Sequence, residues 1–261
     1  MDMYFKETGK RYSETILFIH SGAMAGWMWE EQLKAFNNYH CIVPDLPEQG
    51  LSRELKPFTI KNTAKMIIDM INDHAHNGIA HLVGISMGAQ IILQILGTAP
   101  EVVDHAIISG TLTQRNPRNE MLLKLLDYTF RVYEPVKDTD FFIKANMRTF
   151  NMPKNLFENF KQSTILLKAD ALHRILRENL LFELPEGLER IKSPVLVMTG
   201  EKDYKIIKES ADELINIIPI SERYTAPKLG HIWNLEDPIL FNRVLRRWIK
   251  DRTIIDSKIR I

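Results

Sequence analysis

Five short apolar runs, TILFIHSG, CIVPDLP, IAHLVGIS, HAIISGT and VLVMTGEKD, recur along the chain, and each runs out into glycine, proline, serine or aspartate. Strands read as unbroken Val/Ile/Leu stretches when both faces of their sheet are covered, which is the condition of a parallel sheet. Between the runs lie WMWEEQLKAFNN, TIKNTAKMIIDMINDHAH, MGAQIILQILGTAP and PILFNRVLRRWIK, with apolar residues recurring at three and four. Strand, helix, strand in regular alternation predicts an α/β chain with a doubly wound, mostly parallel sheet. At 261 residues and 45% apolar composition, the chain is long enough to bury the core that such a sheet requires.

The alternation breaks once. From Thr113 to Leu188 no strand pattern occurs; Leu, Phe, Met and Lys recur at helical spacing, punctuated by prolines such as Pro153 and Pro185. The expected organisation is therefore a core formed by residues 1–112 and 189–261, with a helical cap inserted over residues 113–188. The final stretch, DRTIIDSKIRI, carries no pattern that assigns it a role.

Lys and Arg total 34 against 33 Asp and Glu, a formal charge of +1, so no electrostatic ground exists for nucleic acid or an anionic membrane as partner. A small neutral or amphiphilic molecule is the expected ligand, and the sequence assigns no oligomeric state. The opening MDMYFKETGK is charged and lacks an apolar core of signal length, and no later run approaches a membrane span, which predicts a soluble, cytoplasmic protein. The single cysteine, Cys41, reads as a buried strand residue and excludes a disulfide framework or a Cys-based metal site. No metal and no cofactor is expected.

Within HLVGISMGAQ, Ser86 stands between Gly84 and Gly88 at the join of a strand pattern and a helix pattern. A strand-to-helix turn this sharp leaves no room for side chains at the flanking positions, and it projects the serine from the carboxyl edge of the sheet. The amide of Met87, in the first helical turn, faces any oxyanion formed at Ser86. A serine hydroxyl becomes a good nucleophile when an imidazole takes its proton and a carboxylate fixes that imidazole. Of the eight histidines, His231 alone combines a loop position with the end of a late strand pattern, RYTAPKLG; His40, His81 and His105 begin strands, at the opposite edge. The loop after VLVMTG places Asp203 at the carboxyl edge, with Glu201 as its near competitor.

The order Ser86, Asp203, His231 resembles that of the α/β-hydrolase superfamily. Three further stretches carry the resemblance: HSGAMAGWMW is similar to the family's oxyanion loop, VPDLPEQGLS to its Asp-x-Pro-Gly-His-Gly-x-Ser stretch, and GHIWNLEDP to its Gly-His-x-x-x-x-Glu-x-Pro ending. The resemblance implies that the Gly22 amide partners Met87 in an oxyanion hole and that His20 braces the loop. It also exposes departures: Ser21 replaces a glycine, Glu48 and Gln49 replace Gly-His, and Ile85 precedes the nucleophile where histidine is frequent.

The function implied is hydrolysis of carboxylic esters of small to medium apolar substrates through an acyl-enzyme. C–C bond hydrolysis, lyase chemistry or non-catalytic ligand binding on the same fold are the alternatives. Ile85, in place of the asparagine of meta-cleavage hydrolases, and Ile232, in place of the lysine of hydroxynitrile lyases, stand against two of them. Ser21, Met24 and Trp27 are the expected substrate contacts. Met121, Leu125, Phe130, Phe141, Phe142, Met147, Phe150, Phe157 and Phe160 exceed what a solvated surface needs, so most are expected to pack the cap and the rest to line an apolar pocket.

Overall fold

The computed structural model describes residues 2–113 and 136–251. Its seven strands are β1 (Phe5–Thr8), β2 (Thr15–Ile19), β3 (His40–Pro44), β4 (Ala80–Ile85), β5 (Val103–Ser109), β6 (Val195–Gly200) and β7 (Ser221–Ala226). They form one sheet in the order β1-β3-β2-β4-β5-β6-β7, parallel throughout except for β1, which runs antiparallel to β3. The doubly wound, mostly parallel sheet expected from the alternation of runs is thus present.

Every residue of β2, β3, β4 and β6 is buried, which is why these strands read as unbroken apolar runs. Successive side chains serve opposite faces. Leu17, Leu82, Ile108 and Val197 join one core with Ile67 of α2 (Ile60–His74) and Ile92 of α3 (Met87–Thr98). Ile16, Val83, Ile107 and Leu196 join the other, with Leu33 of α1 (Glu30–Ala35) and Trp248, near the chain end. The edges differ. In β1 no residue is fully buried, and β7 is half-buried or exposed until Ala226, so neither carries the hydrophobic signature of the inner strands. FKET therefore carries no strand signal in the sequence.

The interrupted stretch is helical where described: α4 (Asp140–Thr149), α5 (Phe157–Leu166) and α6 (Ala169–Leu180) lie between β5 and β6. Ile143, Met147 and Phe160 belong to one core cluster, and Leu172 and Ile175 to the other, so these helices pack onto the sheet's own cores. Met121, Leu125, Phe130 and the tail over 252–261 lie outside the described residues. After β6 follow α7 (Lys205–Ile217), then the short α8 (Trp233–Glu236) and α9 (Pro238–Asp251). Among the described residues no helix is long and apolar enough to cross a membrane.

From β2 the chain moves to β3 on one side and then to β4 on the other, so the strand order reverses between β2 and β4. A crevice opens at the carboxyl ends where adjacent strands send their chains apart. There α3 passes very close to β2: a Cβ on Gly88 would lie 2.3 Å from the carbonyl oxygen of Ile19, and one on Gly84 would lie 2.6 Å from that of Gly88. Both glycines are thus required by backbone approaching backbone. Gly88→Ala is expected to cost about 3 kcal/mol or more, measured as a fall in the urea unfolding midpoint; a change within 0.5 kcal/mol (roughly the ordinary range of surface substitutions) would contradict this account.

Candidate active site

Ser86 is the residue between β4 and α3, with φ 57° and ψ −116°. For a residue with a Cβ this left-handed φ costs about 1–3 kcal/mol and persists only where surroundings hold it. They do so on both sides: the Ser86 amide donates to the Ser109 carbonyl at 2.8 Å, and the Ser86 carbonyl accepts from Ala89 and Gln90 at 3.0 and 3.2 Å. Met87 follows as the first residue of α3, where an amide has no intrahelical acceptor.

The imidazole and carboxylate come from the two strands farther along the sheet. His231 Nδ1 lies 2.8 Å from Asp203 Oδ1, and the Asp203 side chain is fully buried while that of His231 is 16% exposed. A proton on Nδ1 is the tautomer that a carboxylate there enforces, leaving Nε2 to accept. Glu201 is occupied elsewhere, its Oε2 accepting the Lys228 amide at 2.6 Å. Gly110, at the carboxyl end of β5, lies against the ring: a Cβ there would stand 2.8 Å from His231 Cε1. Ser109 accepts from Trp233 Nε1 at 3.0 Å through its hydroxyl, so one strand end braces both the serine turn and the chain just beyond His231. On the far side of His231, Glu236 Oε1 accepts the Gly230 amide at 2.9 Å. Burial raises the Glu236 carboxyl above its usual range, against hydrogen bonds from Gly230 and Asn151. The apolar run HAIISG showed where β5 ends, but not that its last two residues brace the serine turn and His231.

The loop after β2 brings Gly22 to the same place; a Cβ on Gly22 would lie 3.4 Å from Met87 Sδ. His20 is fully buried and bridges backbone, with Nδ1 2.8 Å from the Ser21 carbonyl and Nε2 accepting the Leu46 amide at 2.9 Å. Burial lowers its pKa and keeps it neutral, as a loop brace.

Ser21, Gly22, Met24, Ser86, Met87 and His231 surround one cavity of about 490 Å³, roofed by residues of α4, α5 and α6. Phe142, Phe150 and Phe160 line it, whereas Met147 is buried away from it and Phe141 is 85% exposed. Trp27, expected among the substrate contacts, is not in this wall. Its indole N–H donates to Ser163 Oγ on α5 at 2.8 Å, and the ring lines a separate 330 Å³ recess beside Asp45 and Gly50. An indole needs a hydrogen-bond partner when half-buried, and an inserted helix supplied it. Three polar side chains of the wall give donors to protein acceptors: Asn146 Nδ2 bonds the Phe142 carbonyl, Thr164 Oγ1 the Phe160 carbonyl, and Asn179 Nδ2 Gln90 Oε1. Among the described residues no Asp, Glu, Lys or Arg lines the cavity.

Only one group among the described residues brings together three metal-type donors, His81, Asp104 and His105, within 4.8 Å of one another. It sits at the amino ends of β4 and β5, opposite Ser86, where His105 Nδ1 pairs with Asp104 at 2.8 Å.

A serine on a strained strand-to-helix turn, with an imidazole that lines the same cavity and is paired to a carboxylate, is the arrangement found in serine-elbow α/β proteins. The family model for the alpha/beta hydrolase fold matches residues 14–238, and the chain belongs to that family. An AB hydrolase superfamily protein of Gibberella zeae is 27% identical over 255 residues, covering 94% of this chain and 83% of the relative. An uncharacterized hydrolase of Bacillus subtilis is 23% identical, covering 96% of this chain and 95% of its own. A thermophilic esterase of Thermogutta terrifontis superimposes with a TM-score of 0.80 at 20% identity, over 95% of this chain and 93% of that one, a likeness of fold.

Glu48 and Gln49, the departures from Gly-His, both have hydrogen-bonded side chains. Glu48 is 3% exposed, accepts the Phe58 amide at 2.9 Å, and receives Arg174 of α6 through Nε at 2.9 Å and Nη2 at 2.5 Å. Burial pushes the Glu48 carboxyl up, but the guanidinium and the Phe58 amide outweigh it and hold the pKa below the ordinary value of 4.5. A carboxylate held below its unfolded value stabilises the fold above that value, and its contribution disappears as pH falls through the lowered pKa. Glu48→Gln is expected to lose about 1–3 kcal/mol at pH 7 and to show a flatter decline in stability on acidification below pH 4.5. Urea titrations at pH 7 and pH 4 would show wild type and variant converging; parallel curves would refute this.

Proposed function

We propose that the protein is a serine hydrolase acting on carboxylic esters with an apolar acyl or alcohol group of modest size. The observation that carries the reading is the Asp203–His231 pair at 2.8 Å, whose imidazole lines one largely apolar cavity together with Ser86. In this reading Ser86 Oγ attacks the ester carbonyl while His231 Nε2 takes its proton; Asp203 holds the imidazole and stabilises its charge. The carbonyl oxygen becomes an oxyanion that the Gly22 and Met87 amides receive, with the α3 dipole adding to the attraction. Collapse of the tetrahedral species expels the alcohol, protonated by His231, and leaves an acyl group on Ser86. Water then repeats the sequence and releases the acid.

The substrate class follows from the wall. A cavity without Lys, Arg, Asp or Glu among its described residues gives a charged substrate no counter-charge, whereas Ile143, Leu172 and Ile175 reward each buried methylene by about 0.8 kcal/mol. A roof of helices excludes water and strengthens the amide contacts to the oxyanion. Ser21 and Met24 are the proposed substrate contacts of the loop.

Ser86→Ala should fold as the wild type and lose ester hydrolysis, and fluorophosphonate should label the wild type but not the variant. Asp203→Asn should lower kcat about 10⁴-fold by favouring the wrong tautomer, while Glu201→Gln should leave it within about twofold; the reverse pattern would overturn the assignment of the acid. With 4-nitrophenyl esters of increasing acyl length, kcat/KM should climb until the cavity is full and then drop, and a profile highest for a charged acyl group would refute an apolar pocket.

A further inference from the structure

Ala23, next to Gly22, holds φ 62°, a left-handed conformation that an alanine does not favour. Its amide donates to Gln49 Oε1 at 2.8 Å, from a side chain only 1% exposed, and Gln49 Nε2 reaches the Pro47 carbonyl at 3.4 Å. The Gln49 carbonyl therefore faces the one backbone N–H whose direction depends on that strained φ. If Ala23 relaxed, the peptide plane shared with Gly22 would rotate, and the turn presenting the Gly22 amide to the cavity would rotate with it. The inserted helices press on the same turn: Ile175 Cγ2 would lie 3.3 Å from a Cβ on Gly22, and Arg174, one residue earlier on α6, is bound to Glu48, the neighbour of Gln49. One dipeptide thus reaches the loop through Gln49 and the helix above it through Glu48.

We propose that Gln49 is a positioning residue for the oxyanion-binding amide of Gly22, acting through Ala23, and that Glu48 with Arg174 seats α6 over the same turn. The inference rests on the serine-hydrolase reading above. Gln49 touches no substrate. It fixes the direction of a donor whose value in the transition state depends on being aimed before charge develops.

Glycine adopts the left-handed region without penalty, so Ala23→Gly supplies from the backbone what Gln49 supplies from its side chain. The test uses the full chain with 4-nitrophenyl butyrate, active sites counted by fluorophosphonate labelling. Gln49→Met, and separately Gln49→Asn, whose carbonyl is one methylene short of Ala23, should lower kcat about 10- to 100-fold with KM within about twofold. The Ki of an alkylboronic acid, whose serine adduct places an oxygen at the oxyanion position, should rise by a similar factor. Adding Ala23→Gly to either variant should return kcat and Ki to within about threefold of wild type, although the Gln49 bond is still missing. A purely structural Gln49 would lower the unfolding midpoint and leave kcat per labelled site and boronate Ki unchanged. That result would overturn the inference, as would a loss that Ala23→Gly fails to restore in folded protein. Should wild type neither hydrolyse the ester nor label, the serine-hydrolase reading falls and this inference with it; labelling of wild type with unchanged kinetics in both Gln49 variants removes the inference alone.

Discussion

The close passage of the first turn of α3 over the end of β2 is the constraint on which the rest of the carboxyl edge depends. Backbone meets backbone there, with the Ile19 carbonyl against Gly88, and the chain can make the passage only by turning through Ser86 in a left-handed conformation. The cost of that turn, about 1–3 kcal/mol, is offset by β5, whose Ser109 carbonyl takes the Ser86 amide, and by the helix that follows. Ser109 also holds Trp233 and Gly110 leaves room for the His231 ring, so the register of β5 against β4 fixes the serine and the imidazole relative to each other. A residue of any other size at Gly110 would have to displace that ring.

Among the described residues, charged side chains stay out of the cavity and are used at its margins. His20, buried and neutral, ties the loop after β2 to the chain after β3 through two backbone bonds. Cys41, its thiol pushed up to about 12 by burial, remains a small apolar residue of β3, in agreement with its sequence context. Buried Glu48 is paired with Arg174 and joins the core to the inserted helices, buried Asp45 accepts the Gly26 and Leu51 amides, and half-buried Glu178 accepts the Ile60 amide at the start of α2. Pairing of this kind holds elements in register more than it adds net stability, because desolvating the ions cancels much of their attraction. The Gln90–Asn179 amide pair ties α3 to α6 without charge.

The inner strands, their intervening helices and the helical nature of the insertion were legible because burial on both faces, or on one stripe of a helix, writes itself into the order of apolar residues. The positions of Ser86, Asp203 and His231 at one sheet edge were legible because strand ends are marked by Gly, Asp and Pro. β1 was not, since an edge strand is solvated and FKET carries no run, and β7 was legible only from Arg223 onward, in RYTAPKLG. Trp27 and Phe141 show the same limit for side chains. A large apolar residue in a loop or on a helix announces that it can be buried, not where, and one found a serine hydroxyl on α5 while the other stayed in solvent.

The sequence by itself therefore determined the α/β class, the strand-to-helix turn at Ser86 and the ordering of a hydroxyl, a carboxylate and an imidazole along three strand ends, because each is a matter of local periodicity and of glycines that only a tight turn requires. Tertiary structure alone decided that Gln49 holds Ala23, that Glu48 reaches Arg174 126 residues away, and that Ser109 and Gly110 complete the surroundings of His231. Those are contacts between residues distant in the chain. Nothing in local propensity favours one distant partner over another until the sheet order and the seating of the inserted helices have brought the two together.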